Sequence, residues 1–192
     1  VRAKSKTLKT KQLKLKTQRL VLRPFQAGDV DDVYAYAFHP EWGQYILAST
    51  KRYTHDDAGR FVSHAILQDR MQYPIFAIVI DGHVVGSVGL HVNATHGIAD
   101  LRFALGKSYW GQGLITEATT ALVDWGFNTL AIEKITAATD ARNVSGIRIM
   151  EKLGMTQEVL WLRNRINQGN RVDEVHYGIL RSEWESTTEA PT

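Results

Sequence analysis

The stretch that most limits what this chain can fold into runs from residue 98 to residue 129. IADLRFAL (98–105) reads as a strand, and Ala118, Ala121, Leu122, Trp125 and Thr129 recur at helical spacing further on. Between them lies WGQGLITE (110–117), a loop with two glycines that opens the helix. Glycine lets the main chain turn tightly and lets a ligand approach it closely. The first N–H groups of a helix lack internal partners and sit at the positive end of its dipole. A strand, a glycine turn and a helix start therefore make an anion site suited to phosphate or pyrophosphate. A lone Gly-x-Gly also serves plain turns. No Gly-Lys-Ser/Thr follows, so this is not a P-loop. The third glycine of a dinucleotide-binding turn is missing as well.

The flanking sequence sets the fold class. TQRLVLRPF (17–25) alternates apolar and polar residues and reads as a first strand. Asp29 is placed to cap a helix carrying Val30, Val33, Tyr34 and Ala37, and Thr54 with Asp57 begins a second one. Residues 41–53 read as a loop. IFAIVI (75–80) is a continuous apolar run, Asp81-Gly82 a hairpin turn, and VVGSVGLHV (84–92) the returning strand. After the glycine loop come KITAAT (134–139) as a strand, 143–153 as a helix closed at Gly154, and 159–166 with 172–180 as a final hairpin across Gln168-Gly169-Asn170. Three antiparallel strands followed by a strand–helix–strand unit give an α+β sheet of mixed, mostly antiparallel direction. The count is about seven strands and about four helices.

Composition bounds the rest. The 192 residues favour one domain, expected over 17–184, with a basic arm at 1–16 and a polar tail at 185–192. The first 19 residues hold eight Lys or Arg and no acid, so a net charge of +3 leaves −5 on the remainder. Such an arm reads as a solvated tail, as a contact for nucleic acid, the ribosome or an anionic membrane, or as a transit peptide. With no cysteine, disulfides, thiolate metal sites and a thiol nucleophile are excluded. No metal site is expected, because His91 and His96 lack helical ligand spacing. No apolar run approaches the ~20 residues that cross a bilayer.

A second constellation is RNVSGIRIMEKLGM (142–155). Asn143 stands where a strand gives way to a helix, as a plain N-cap or as a ligand-binding residue. If the strands at 98–105 and 134–139 splay apart, an extended cofactor fits between them with Asn143 at its flank.

The two segments together resemble the GNAT superfamily of N-acetyltransferases, in its branch of ribosomal-protein alanine N-acetyltransferases (RimJ/RimL-like). The superfamily's pyrophosphate motif falls on Trp110, Gly111, Gln112, Gly113, Leu114 and Ile115, followed by Thr116 and Glu117. Ile115 replaces the small residue usual there. NVSGIRIMEKLGM matches the branch's second motif and TQRLVLRPFQAGDVDDV its opening, so the likeness covers about 17–184. It implies a GNAT-like sheet splayed between strands four and five. It also implies acetyl-CoA in that V, with its pantetheine arm along Phe103, Ala104 and Leu105, its pyrophosphate on 111–116, and Asn143 bonded to the arm.

The resemblance implies transfer of an acetyl group from acetyl-CoA to a primary amine: a protein N-terminus or a small molecule. A basic amine must lose a proton before it attacks. Asp100 stands where many members carry a glutamate base, one methylene shorter, which favours a water relay. The other reading of Asp100 is a strand carboxylate paired with Arg102 or Lys107. A main-chain N–H near Leu105 is placed to stabilise the oxyanion. The tyrosine that often serves as general acid is replaced by Met150, and the branch's serine position is Gly146, with Ser145 one residue earlier. These gaps keep open a non-catalytic acyl-CoA-binding module of the same fold. The acceptor is expected among Trp42, Tyr45, Tyr53 and the loop after Ile166. A cytoplasmic location and a homodimer complete the expectations.

Overall fold

The computed structural model describes residues 13–39, 41–45 and 52–188. Most of the expected arm, part of the 41–53 loop and the end of the expected tail lie outside the described residues. In chain order the elements are β1 (Leu15–Lys16), β2 (Val21–Pro24), α1 (Val30–Ala37), α2 (His55–Leu67), β3 (Ile75–Ile80), β4 (His83–Asn93) and β5 (Ile98–Leu105). They continue with α3 (Leu114–Thr129), β6 (Lys134–Asp140), α4 (Val144–Lys152), β7 (Thr156–Asn167), β8 (Asn170–Leu180) and α5 (Arg181–Thr188). The strands form one sheet in the order β1-β2-β3-β4-β5-β6-β8-β7, with β5 and β6 parallel and the other neighbours antiparallel.

Period-two alternation divides the core between the two faces of this sheet. In β3, Phe76 and Ile78 join the larger core with α3 and α4, while Ala77 faces α1 and α2. A strand covered on both sides must be apolar throughout, which accounts for IFAIVI. The larger core gathers Leu114, Ala118, Leu122, Val123 and Met150 against Val88, Leu90 and Leu101. The smaller one packs Val33, Tyr36, Ala58 and Val62 on Ala77 and Val84.

Local signals hold where they are self-contained. The Thr54 hydroxyl accepts from the Asp57 N–H, and the Asp57 carboxylate accepts from the Thr54 N–H, a complete capping box. Gly154 ends α4 at φ +76°, where a side chain is strained. Three expectations change. The Asp29 side chain makes no capping bond to α1; its carboxylate accepts from Arg23 at 2.7 Å and from the Gln26 N–H at 2.8 Å. The single strand expected over 17–25 is interrupted: Thr17 to Leu20 is a turn between β1 and β2, closed by Thr17 N–H to the Leu20 carbonyl at 3.0 Å. Of the stretch expected to fray after Trp184, residues 185–188 belong to α5. Arg181 fastens that helix by donating to the carbonyls of Phe127, Leu130 and Ile132, and Trp184 is buried beside Phe127.

The feature that positions the site is the β5–β6 junction. Only Ile98↔Lys134, Ala99↔Ile135 and Asp100↔Thr136 are paired. Beyond them β5 runs on to Leu105 and β6 to Asp140, so the strands part into a V. No helix among the described residues is long and apolar enough to cross a membrane.

A candidate active site where two cavities meet

The V leaves the β5 edge from Leu101 to Leu105 without a strand partner on the β6 side. Its mouth is closed by the loop that follows. Trp110 folds back so that its Nε1 donates to the Leu105 carbonyl at 2.7 Å. Gly111 and Gly113 have φ of +74° and +75°, the left-handed region. They lead into α3, which is 16 residues long and so carries a full dipole. Among the described residues, none of the main-chain N–H groups from Gly111 to Thr116 finds an acceptor. Six consecutive free donors at the head of a long helix fit a pyrophosphate.

This loop is braced from below. Glu117 Oε1 accepts from the Thr17 hydroxyl at 2.6 Å and the Arg19 N–H at 2.8 Å. Arg19 Nε donates to Glu117 Oε2 at 2.6 Å, and its NH1 to the Gln112 carbonyl at 2.8 Å. Burial works against the charge on Glu117, but the bonds from Thr17 and Arg19 outweigh it and hold the carboxyl below its usual range.

A cavity of about 190 Å³ occupies the V. Of the expected donor-binding residues, Phe103, Ala104, Leu105, Trp110, Gly111, Gly113, Leu114, Ile115 and Asn143 line it, as does Ser145. Gln112 does not: its side chain caps the Ser108 carbonyl and its own carbonyl is taken by Arg19. Thr116 faces a neighbouring hollow with Gly113 and Lys152. Sequence reasoning passed over Tyr109, Glu41 and Ile149, which also line the V.

Asn143 is an N-cap at this wall. Its Oδ1 accepts from the Gly146 N–H at 3.0 Å and from the Ser145 hydroxyl at 3.1 Å, while Nδ2 donates to Thr139 Oγ1 at 2.9 Å. One amide hydrogen is left for a ligand. A Cβ placed on Gly146 would stand 2.5 Å from Asn143 Nδ2, so the capping side chain occupies the space a serine there would need. Met150 points away from the V into the core, 1% exposed.

A second cavity, about 530 Å³, lies on the other face of the sheet between α1, α2 and β3–β5. Its walls include Tyr36, Tyr53, Phe61, Tyr73 and Arg102. Trp42, Phe103 and Ala104 line both cavities, so the two meet there. The Trp42 Nε1 is buried with no hydrogen-bond partner among the described residues. Burial pushes the Tyr36 hydroxyl well above its usual range and the Tyr53 hydroxyl up to about 12, so both are neutral donors at neutral pH. Of the expected acceptor residues, Trp42 and Tyr53 are found here and Tyr45 on the V.

Asp100 lines neither cavity. It lies in an adjacent hollow with His91, its cross-strand neighbour, and accepts from Arg102 Nε at 2.9 Å. His91 borders both that hollow and the second cavity and stacks on Tyr73 at 4.5 Å. The loop after Ile166 contributes Asn167, whose Nδ2 donates to the Gln44 carbonyl at 2.9 Å and to Asp140 Oδ2 at 3.0 Å. Bonds from Arg142, backed by Asn167, hold the buried Asp140 carboxyl down at about 2. Among the described residues no three His, Cys, Asp or Glu gather in a metal-binding group.

The sequence matches the acetyltransferase (GNAT) domain family over residues 19–156. An uncharacterized N-acetyltransferase, p20 of Bacillus licheniformis, is 27% identical over 175 residues, covering 88% of this chain and 97% of that protein. The crystal structure of a GNAT-family acetyltransferase from Bacillus anthracis superposes with a TM-score of 0.80 at 24% identity, over 89% of this chain and all of that one (100%). RimL, a ribosomal L7/L12 alpha-N-protein acetyltransferase solved with coenzyme A, gives a TM-score of 0.78 at 16% identity, over 85% of this chain and 95% of that one.

Proposed function

This chain belongs to the GNAT acetyltransferase family, and we propose that it moves the acetyl group of acetyl-CoA to a primary amine where its two cavities meet. As a member of that family it is an N-acetyltransferase, and acetyl-CoA is its donor. The residues that bind, position and react are the part proposed. The observation that carries them is the wall of Trp42, Phe103 and Ala104, shared by a donor cavity headed by free N–H groups and an aromatic acceptor cavity.

In this reading the N–H groups of 111–116 hold the pyrophosphate, and the open β5 edge with Asn143 holds the pantetheine arm. The thioester then lies beside Phe103 and Ala104, facing the acceptor. The incoming ammonium gives up one proton, its nitrogen attacks the thioester carbon, and the C–S bond breaks with its electron pair going to sulfur. Asp100 takes the first proton through water, because it stands one hollow away from the acceptor cavity. Ser145 is one of the hydroxyls on the donor wall, with Tyr45 and Tyr109, and is assigned the proton for the departing thiolate. That transfer is undemanding, since an ordinary thiol has a pKa of ~8.5. Residues 17–184 form the acetyltransferase domain, working in the cytoplasm.

The test is release of CoA thiol from acetyl-CoA across a panel of amines, with mass spectrometry of the acceptor. The reading expects an N-acetylated product in step with the thiol. CoA binding without turnover of any amine would contradict it.

A further inference from the structure

We infer that the acceptor cavity takes a compact amine with an apolar, ring-sized body and one carboxylate, which Arg102 grips. This deepens the acetyltransferase reading and rests on it. The body is set by the walls. Tyr36, Trp42, Tyr53, Phe61 and Tyr73 are all aromatic, and 530 Å³ is the size of a small-molecule site.

The carboxylate is set by charge. Arg102 is the one permanently charged side chain among the described lining residues, with His64 and His91 beside it and no acid. Asp100, outside this lining, is already held by Arg102 Nε at 2.9 Å. The terminal amino groups of Arg102 have no acceptor among the described residues, and a guanidinium takes a carboxylate through two parallel bonds. Its cross-strand neighbour is Gly89, which sets no side chain of its own opposite Arg102, although Ile75 packs over that glycine.

Reach is set by the strand. Arg102 and Ala104 share one face, two residues or roughly 7 Å apart, so a carboxylate on Arg102 leaves the amine beside the shared wall only if the molecule is short. A polyamine meets a cation where it would need an anion. Attack through the neutral amine forms the N–C bond and breaks C–S. Of the two protons lost from the ammonium, one goes to solvent and one to CoA, giving the N-acetyl amino acid, CoA and H⁺.

The experiment compares kcat/KM for L-phenylalanine and L-tryptophan with phenethylamine and tryptamine, with spermidine, and with an alanine-initiated peptide. Wild type and Arg102→Met are assayed in parallel. The expected result is an amino acid preferred at least tenfold over its decarboxylated amine, with that ratio falling at least tenfold in Arg102→Met. Because the ratio is internal, a general loss of activity does not imitate it. Spermidine or the peptide as best acceptor, or a ratio unmoved by Arg102→Met, would overturn this inference and leave acetyl transfer standing. Failure of every amine would sink both.

Discussion

Arg19 and Glu117 are 98 residues apart in sequence, and their Nε and Oε2 are 2.6 Å apart in the fold. The same guanidinium reaches the Gln112 carbonyl, so one ion pair fixes the glycine loop to the start of the sheet. An anion loop binds well only if its donors are already in place. Arg19→Met and Glu117→Gln should each weaken CoA binding about tenfold, or about 1.4 kcal/mol, by calorimetry. Unchanged affinity in both would show that the loop holds itself.

Removing the proposed base should separate chemistry from binding. For Asp100→Ala we expect turnover to fall by about 10²-fold or more while CoA affinity stays within about twofold. Steady-state kinetics and a CoA titration on the same preparation check this. Wild-type turnover would retire Asp100 and move attention to His91.

Gly146 gives a prediction that the sequence pattern alone would get backwards. Restoring the serine expected three residues after Asn143 should not improve catalysis. Its Cβ would fall 2.5 Å from the Asn143 amide, so Gly146→Ser should destabilise the protein by roughly 1–3 kcal/mol. Denaturant melts measure this. A fully stable, faster Gly146→Ser enzyme would contradict the capping geometry.

The Asp140–Asn167 bond predicts a pH dependence. Asp140 sits at about 2 in the fold, below its ordinary 3.8, so its contribution is present above about pH 4 and is lost as pH falls toward 2. Melting temperature should therefore drop between pH 5 and pH 2.5 in wild type. Asp140→Asn should start lower at pH 5 and drop less steeply. Parallel curves for the two proteins would exclude Asp140 as a source of the slope.

Much of this was legible in the sequence because the signals were local. The Thr54–Asp57 box, the Asp81-Gly82 hairpin, the glycines at 111 and 113 and the cap at Asn143 each need only a few neighbouring residues. The splay was implied by the family resemblance, and it begins past the pair Asp100↔Thr136. What was not legible depends on distant residues. The Thr17–Leu20 turn exists because Glu117 accepts from Thr17, and α5 exists because Arg181 finds three carbonyls around residues 127–132. The acceptor cavity needed the packing of α1 and α2 on the sheet to bring Tyr36 and Phe61 over Ser87 and Arg102. Alternation along β4 and β5 already put Ser87, Gly89 and His91 on one face with Asp100, Arg102 and Ala104, the signal that was available.

The proposed seat of the donor's pyrophosphate is the row of N–H groups from Gly111 to Thr116. Its most direct test is a calorimetric titration of CoA into wild type, Gly111→Pro and Gly113→Trp, with each fold checked by circular dichroism. Both glycines sit at positive φ, which proline cannot adopt and tryptophan adopts only under strain. Micromolar binding to wild type and none measurable to either folded variant is expected. Micromolar binding retained by both would contradict it.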